Sequence, residues 1–144
     1  MMPGSVLPDQ NPIPLKEQRM LELARGWQAA IDRGPDWLFI RLNCPDAAQA
    51  ATESLASEIW STMQQHMVSR VVLEMDQVQL LTSSLIGQLV QLHKRVYNNN
   101  GVLRLCALND TGQESLRISR LSDRFPPYRN REEAVMGYRP WQPR

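Results

Sequence analysis

Val71-Val72-Leu73-Glu74-Met75, followed after a short link by Thr82-Ser83-Ser84-Leu85-Ile86-Gly87, is the stretch on which the fold turns. The first run is short, rich in β-branched residues and almost wholly apolar, as a strand covered on both faces must be. The second opens with three hydroxyl residues, then sets Leu85, Leu89, Leu92 and Val96 on one helical stripe that Ile86 and Val90 widen. A buried strand feeding an amphipathic helix is half of a βαβ unit.

The other half follows downstream. Asn98-Asn99-Asn100-Gly101 carries strong helix-stop and turn chemistry, and Val102 to Leu108 reads as a further strand. Asp110, with Gln113 three residues on, predicts a capped helix through Leu116 to about Leu121. Pro126-Pro127 removes two N–H donors and leaves room only for an edge strand. Arg131 to Gly137 suits a short last helix.

Upstream, Gly34-Pro35-Asp36 is a turn signal that leads into Trp37-Leu38-Phe39-Ile40-Arg41-Leu42, a third buried strand. Pro45-Asp46 ends it, with Asp46 offered as N-cap to a helix striped by Ala51, Leu55, Ile59 and Met63, with Ala56, Trp60 and Met67 beside them. Trp60, Met63 and Met67 are read as packing residues. From Leu15, Met20, Leu23, Ala24 and Trp27 recur at helical spacing, and Gly26 can cap that helix. Trp27, Ala29 and Ile31 alternate like a strand yet also suit a continuing helix, and periodicity alone leaves both open. Residues 1–14 hold Pro3, Pro8, Pro12 and Pro14, which predicts a flexible lead-in.

The chain has 144 residues, the size of one ordinary domain, and is 42% hydrophobic. Sixteen Lys and Arg against fifteen Asp and Glu leave +1, which argues against an electrostatic grip on nucleic acid. The last third, residues 101–144, is the basic part, with a surplus that solvated helix faces explain. Cys44 and Cys106 are read as reduced thiols. With only His66 and His93 beside them, no metal is expected. The start has no basic n-region with an apolar run of signal-peptide length, and no run approaches a membrane span, so a soluble, cytoplasmic protein without membrane insertion is expected. Glu74 and Asp76, near a strand end, are read as solvated loop charges. His93 is expected on the surface or half-buried, and Tyr138 and Trp141 stand in the Arg-rich tail.

Strand–helix–strand–helix–strand–helix is the order of an α/β (α+β) sandwich, a mostly parallel mixed sheet with helices packed on it. From about Trp37 onward these residues resemble a STAS domain of the bacterial anti-sigma factor antagonist type. The likeness centres on Val71–Met75 and Thr82–Gly87, then runs through Leu92-His93-Lys94-Arg95, Gly101–Leu105, Leu116 with Ser119-Arg120-Leu121, and Glu132-Glu133-Ala134-Val135. It does not reach residues 1–25, which stand as the lead-in with a short helix, and with them the chain divides into a STAS-like domain over 26–138 and a tail over 139–144. It also favours Trp27–Asp32 as an edge strand in a hairpin with Trp37–Asn43.

In that family the strand-to-helix loop usually reads Asp-Ser-Ser/Thr-Gly-Leu-Gly. The hydroxyl residue after the Asp is phosphorylated by a partner kinase that is also the anti-sigma factor. By position that residue is Ser83, with Ser84 beside it, and the docking surface is Thr82, Ser83, Ser84, Leu85, Ile86 and Gly87. Thr82 stands where the family has Asp, Leu85 where it has its first Gly, and Arg120 where a glycine is common. Leu85 is expected to place a branched side chain where a partner's backbone would approach.

The resemblance implies a non-catalytic signalling module, without cofactor, whose partner is an anti-sigma factor of the serine-kinase type and which can self-associate. The alternative is an unphosphorylated structural subunit of a larger assembly, a signalling scaffold or a transporter ATPase complex. An enzyme is the distant third reading, because Ser83 lacks a Gly-x-Ser-x-Gly elbow and no P-loop or dinucleotide fingerprint is present.

Overall fold

A computed structural model describes residues 20–45 and 50–137. Their five strands are β1 (Met20–Ala24), β2 (Trp27–Arg33), β3 (Leu38–Asn43), β4 (Arg70–Glu74) and β5 (Val102–Cys106), lying side by side in sequence order. The first three pair antiparallel, whereas β3, β4 and β5 are parallel. The helices are α1 (Leu55–Gln65), α2 (Ser83–Asn98), α3 (Asp110–Ile118) and α4 (Arg131–Met136). This is the mixed sheet with packed helices that was expected, but it is half parallel rather than mostly so, because β1 and β2 add two antiparallel pairings.

The segment expected to be a short helix is instead β1. Arg25-Gly26 turns the chain so tightly that Ala24 and Trp27 face each other across the β1–β2 ladder. Both are buried, and with Leu23 they reproduce a helical spacing from two different strands. Gly26 is required there: its φ is +83°, and a Cβ would fall 2.6 Å from the Ala50 Cα. With β1 outside it, β2 is not an edge strand. The lead-in expected over residues 1–14, the cap expected at Asp46, and Tyr138 and Trp141 lie outside the described residues.

A single-turn 3₁₀ segment, Thr52–Ser54, precedes α1, whose N-cap Ser54 makes no side-chain cap. The capping bond comes from another helix. The buried Gln88 on α2 accepts from the Ala56 N–H through its Oε1 at 2.8 Å. At α3 the cap is Asn109, not Asp110: the Asn109 Oδ1 accepts from the Gly112 N–H at 2.7 Å. Asp110 then occupies the first turn, where its carboxylate faces the positive end of the helix dipole. Gln113 bonds the Leu108 carbonyl and does not complete a capping box.

Three helices end in the same hydrogen-bonded device, with Met67, Asn100 and Arg120 in the left-handed position at φ 57°, 63° and 62°. In each, the next residue's N–H reaches back to the last helical turn: Val68 to Met63, Gly101 to Val96, and Leu121 to Leu116. Gly101 also lets β5 approach β4, since a Cβ there would meet the Ser69 carbonyl oxygen at 2.1 Å.

One sheet face carries the main core. Leu38, Ile40, Leu42, Val71, Leu73, Leu103 and Leu105 meet Leu55, Ile59 and Met63 of α1 and Leu85, Leu89, Leu92 and Val96 of α2. Met67, expected beside that stripe, lies beyond α1 and is fully in solvent, while Trp60 is half-buried. The opposite face is closed by α4, whose Ala134 packs on a smaller cluster of Trp37, Val72, Cys106 and Tyr128. Tyr128, just past Pro126-Pro127, forms an isolated parallel bridge beside Cys106.

Candidate functional site at the start of helix α2

The link from β4 to α2 is a braced corner. Met75 donates its N–H to the Cys106 carbonyl at 2.9 Å, and Val78 turns back on Met75 at 3.0 Å. Val78 and Leu81 are buried anchors, while Leu80 between them is 62% exposed. From the neighbouring loop, the Asn109 amide donates to the Gln79 carbonyl at 3.1 Å. The corner is thereby held to the ends of two parallel strands, the edge of the sheet where α/β folds place their ligand crevices.

Thr82 is the N-cap. Its Oγ1 accepts from the Leu85 N–H at 3.1 Å and its carbonyl from the Ile86 N–H at 2.9 Å. The threonine hydroxyl is therefore used by the fold. Ser83 and Ser84, the first two residues of α2, are exposed, and their hydroxyls make no hydrogen bond among the described residues. No acid stands in the first turn of α2. Gly87, one turn further, is exposed, and a Cβ there would meet nothing within 4 Å. Ile86 is half-buried.

Leu85 does not do what its position implied. Its side chain is 1% exposed and belongs to the main core. At the third helical position the side chain points at the sheet, so it adds no bulk to the outer surface. Of the six residues expected to form the docking surface, Thr82, Ser83, Ser84 and Gly87 are exposed, Ile86 contributes an edge, and Leu85 supports them from beneath.

Glu74 overturns its reading as a solvated charge. It is buried, and Arg131 of α4 grips both its oxygens, Nε to Oε2 at 2.9 Å and NH2 to Oε1 at 2.8 Å. The same guanidinium reaches Asp32 at 2.8 Å and lies 4.2 Å over the Phe39 ring. The Glu74 hydrogen bond, with Asp32 adding to it, raises the Arg131 pKa above its ordinary value. Arg41 sits 4.0 Å from Glu74 and bonds Asp76 at 3.1 Å. Burial pushes the neighbouring Cys106 thiol up to about 12, and the Glu74 charge adds to it. Such a thiol stays protonated and unreactive. Sequence periodicity could not find this network, because its partners come from distant parts of the chain.

His93 is half-buried, stacked on Tyr97 and edge-on to Phe125. Desolvation, reinforced by Arg124, lowers its pKa. Among the described residues, no three His, Cys, Asp or Glu side chains are grouped to hold a metal ion, and no helix is long and apolar enough to cross a membrane.

The STAS domain family profile matches residues 31–134. Most of the chain lies within that match, and the protein belongs to the STAS domain family. Its fold is shared with solved anti-sigma factor antagonists. A STAS-domain anti-sigma-factor antagonist from Planctomyces limnophilus is 22% identical, with a TM-score of 0.62 over 76% of this chain and 96% of that one. The anti-sigma factor antagonist SpoIIAA in its unphosphorylated form is 17% identical, with a TM-score of 0.59 over 77% and 98%. The Bacillus cell fate determinant SpoIIAA in its phosphorylated form is 18% identical, with a TM-score of 0.56 over 77% and 99%. Curated proteins include no significant match to this sequence.

Proposed function

We propose that this chain is a non-catalytic signalling module of the anti-sigma factor antagonist kind, acting in the cytoplasm over a folded unit of residues 26–138 with β1 added at its edge. In this reading it docks onto an anti-sigma factor of the serine-kinase type through the corner at Ser83 and the outer face of α2. Phosphorylation of Ser83, with Ser84 as the neighbouring acceptor, switches the docking off. One observation carries the reading: two exposed, unbonded serine hydroxyls stand on the first turn of a helix whose own cap, Thr82, is a different residue.

The physics of such a switch is local. A phosphate would bring about −1.5 to −2 charges to a helix start that holds no competing acid. The free domain tolerates that charge, because the first-turn N–H groups and the dipole favour anions. A partner seated on the same corner must bury it, which is costly without a paired cation. Binding is then lost without refolding.

The test is incubation of the full chain with its candidate kinase partner and ATP, followed by mass spectrometry and a binding titration. Modification at Ser83, binding retained by Ser83→Ala and lost by Ser83→Asp, supports the switch. An unmodified corner with Ser83→Asp binding as wild type removes it. A stable complex that ignores both substitutions would favour the structural-subunit reading, to which the threonine cap in place of the family's aspartate also points.

A further inference from the structure

At the far end of α2 a second surface has no role in that reading. His93, Lys94 and Tyr97 form one bank of an open groove of about 580 Å³, and Arg120, Asp123 and Arg124 form the other. The α2 bank is aromatic: the His93 and Tyr97 rings stack at 4.2 Å, and the buried Phe125 meets His93 edge-on at 5.2 Å behind them. Tyr97 remains 45% exposed.

The groove's cations stand together without partners. Arg41, Arg117, Arg129 and Arg131 are in ion pairs, and Arg104 bonds the last carbonyls of α4 at 2.7 and 3.3 Å. Arg70 and Arg95 lie over tryptophan rings. The side chains of Lys94, Arg120 and Arg124 make no hydrogen bond, ion pair or ring contact among the described residues; those of Arg25 and Arg33 are equally without partners but do not line the groove. Asp123 is the groove's single acid among those residues. Arg120 moreover holds a left-handed backbone at φ 62°, a conformation that costs a non-glycine residue and that glycine adopts freely. The backbone bonds that end α3 offset part of that cost, but no side-chain contact of Arg120 does.

We propose that this groove is a docking surface for an acidic peptide segment of a partner protein. Three unpaired cations facing one carboxylate complement a run of Glu or Asp, and the exposed Tyr97 ring accepts the apolar stems between the charges. The groove is open and has no enclosed polar cradle of the kind a small anion needs. Three cations on a chain of net +1 also give too weak a counterion-release term for nucleic acid. The surface lies about 15 Å along α2 from Ser83, so it is separate from the phosphorylation corner and does not depend on it.

The experiment is a fluorescence-anisotropy titration of a fluorescein-labelled peptide of alternating glutamate and alanine with the full chain at low salt. Saturable binding is expected, weakened about tenfold in Lys94→Gln/Arg124→Gln, since two of the three attracting charges are removed and exposed charge pairs are individually weak. Arg120→Gly should weaken it severalfold with an unchanged or higher melting temperature, which separates lost binding from lost folding. Arg25→Gln/Arg33→Gln removes equal charge elsewhere and should leave the affinity as it is, as should Ser83→Asp. No saturable binding at millimolar protein, or an equal loss in the Arg25/Arg33 control, would overturn the proposal. So would an oligouridylate that binds more tightly than the peptide through the same three cations.

Discussion

The two faces of the sheet are closed by different physics. On the α1–α2 face, leucines and isoleucines from three parallel strands meet two amphipathic helices, and the contact is almost wholly apolar. On the α4 face, a six-residue helix sets its own Ala134 against four buried residues and is held down largely by charge: Arg131 on Glu74 and Asp32, and Arg104 on the Ala134 and Val135 carbonyls. Dispersion and water exclusion grow with area, so a long helix can rely on them. A helix of six residues has too little area and too few internal bonds, and directional ionic contacts hold it in place. The first face should therefore fail by loss of volume, the second by loss of a partner.

The largest effect is expected from a cavity in the first face. Leu89→Ala, at a site 1% exposed, should cost about 2–5 kcal/mol in urea unfolding. On the second face, Arg131→Met strands a buried carboxylate. Because the arginine side chain is itself 25% exposed, the loss should sit near 2 kcal/mol, below the range for fully buried pairs. Glu74→Leu/Arg131→Met should recover most of it, whereas an additive double loss would deny that stranded charge is the cause. Thiol labelling sharpens the same contrast. Cys106 should react slowly in the wild type and faster in Arg131→Met, as α4 loosens above a thiol held near 12.

Smaller effects come from the rim of the first face. Arg120→Gly should raise stability by up to about 1 kcal/mol by relieving a left-handed residue. His93, whose pKa is lowered in the fold, binds its proton less readily there than in the unfolded chain. Its contribution is therefore fully present above its ordinary value and fades as pH falls below about 6.5. Thermal midpoints between neutral and mildly acidic pH should show this slope, and His93→Phe should flatten it.

Much of this was readable from residue order. β3, β4 and β5 announced themselves as short apolar runs, and α2 as a stripe behind three hydroxyl residues, because each signal lies within one element. The exposed serine corner was legible for the same reason. Misreadings arose wherever one pattern had two geometric origins. Leu23, Ala24 and Trp27 mimic a helix because a two-residue turn brings adjacent strands into a similar spacing. Leu85 looked like an obstacle on the surface because the family's glycine says nothing about where a replacing side chain would point. Gln88, which caps α1 from α2, carried no local signal.

The order of residues determined by itself the elements from β3 onward and the place of the hydroxyl corner, since hydrophobic periodicity and capping act over a few residues, whereas β1 came out only in the structure. Only the tertiary structure decided which charges are solvated and which are paired. Glu74 and Arg131 stand 57 positions apart. A long-range ion pair has no period for a sequence to display, and it exists only once the sheet and α4 have brought its partners together.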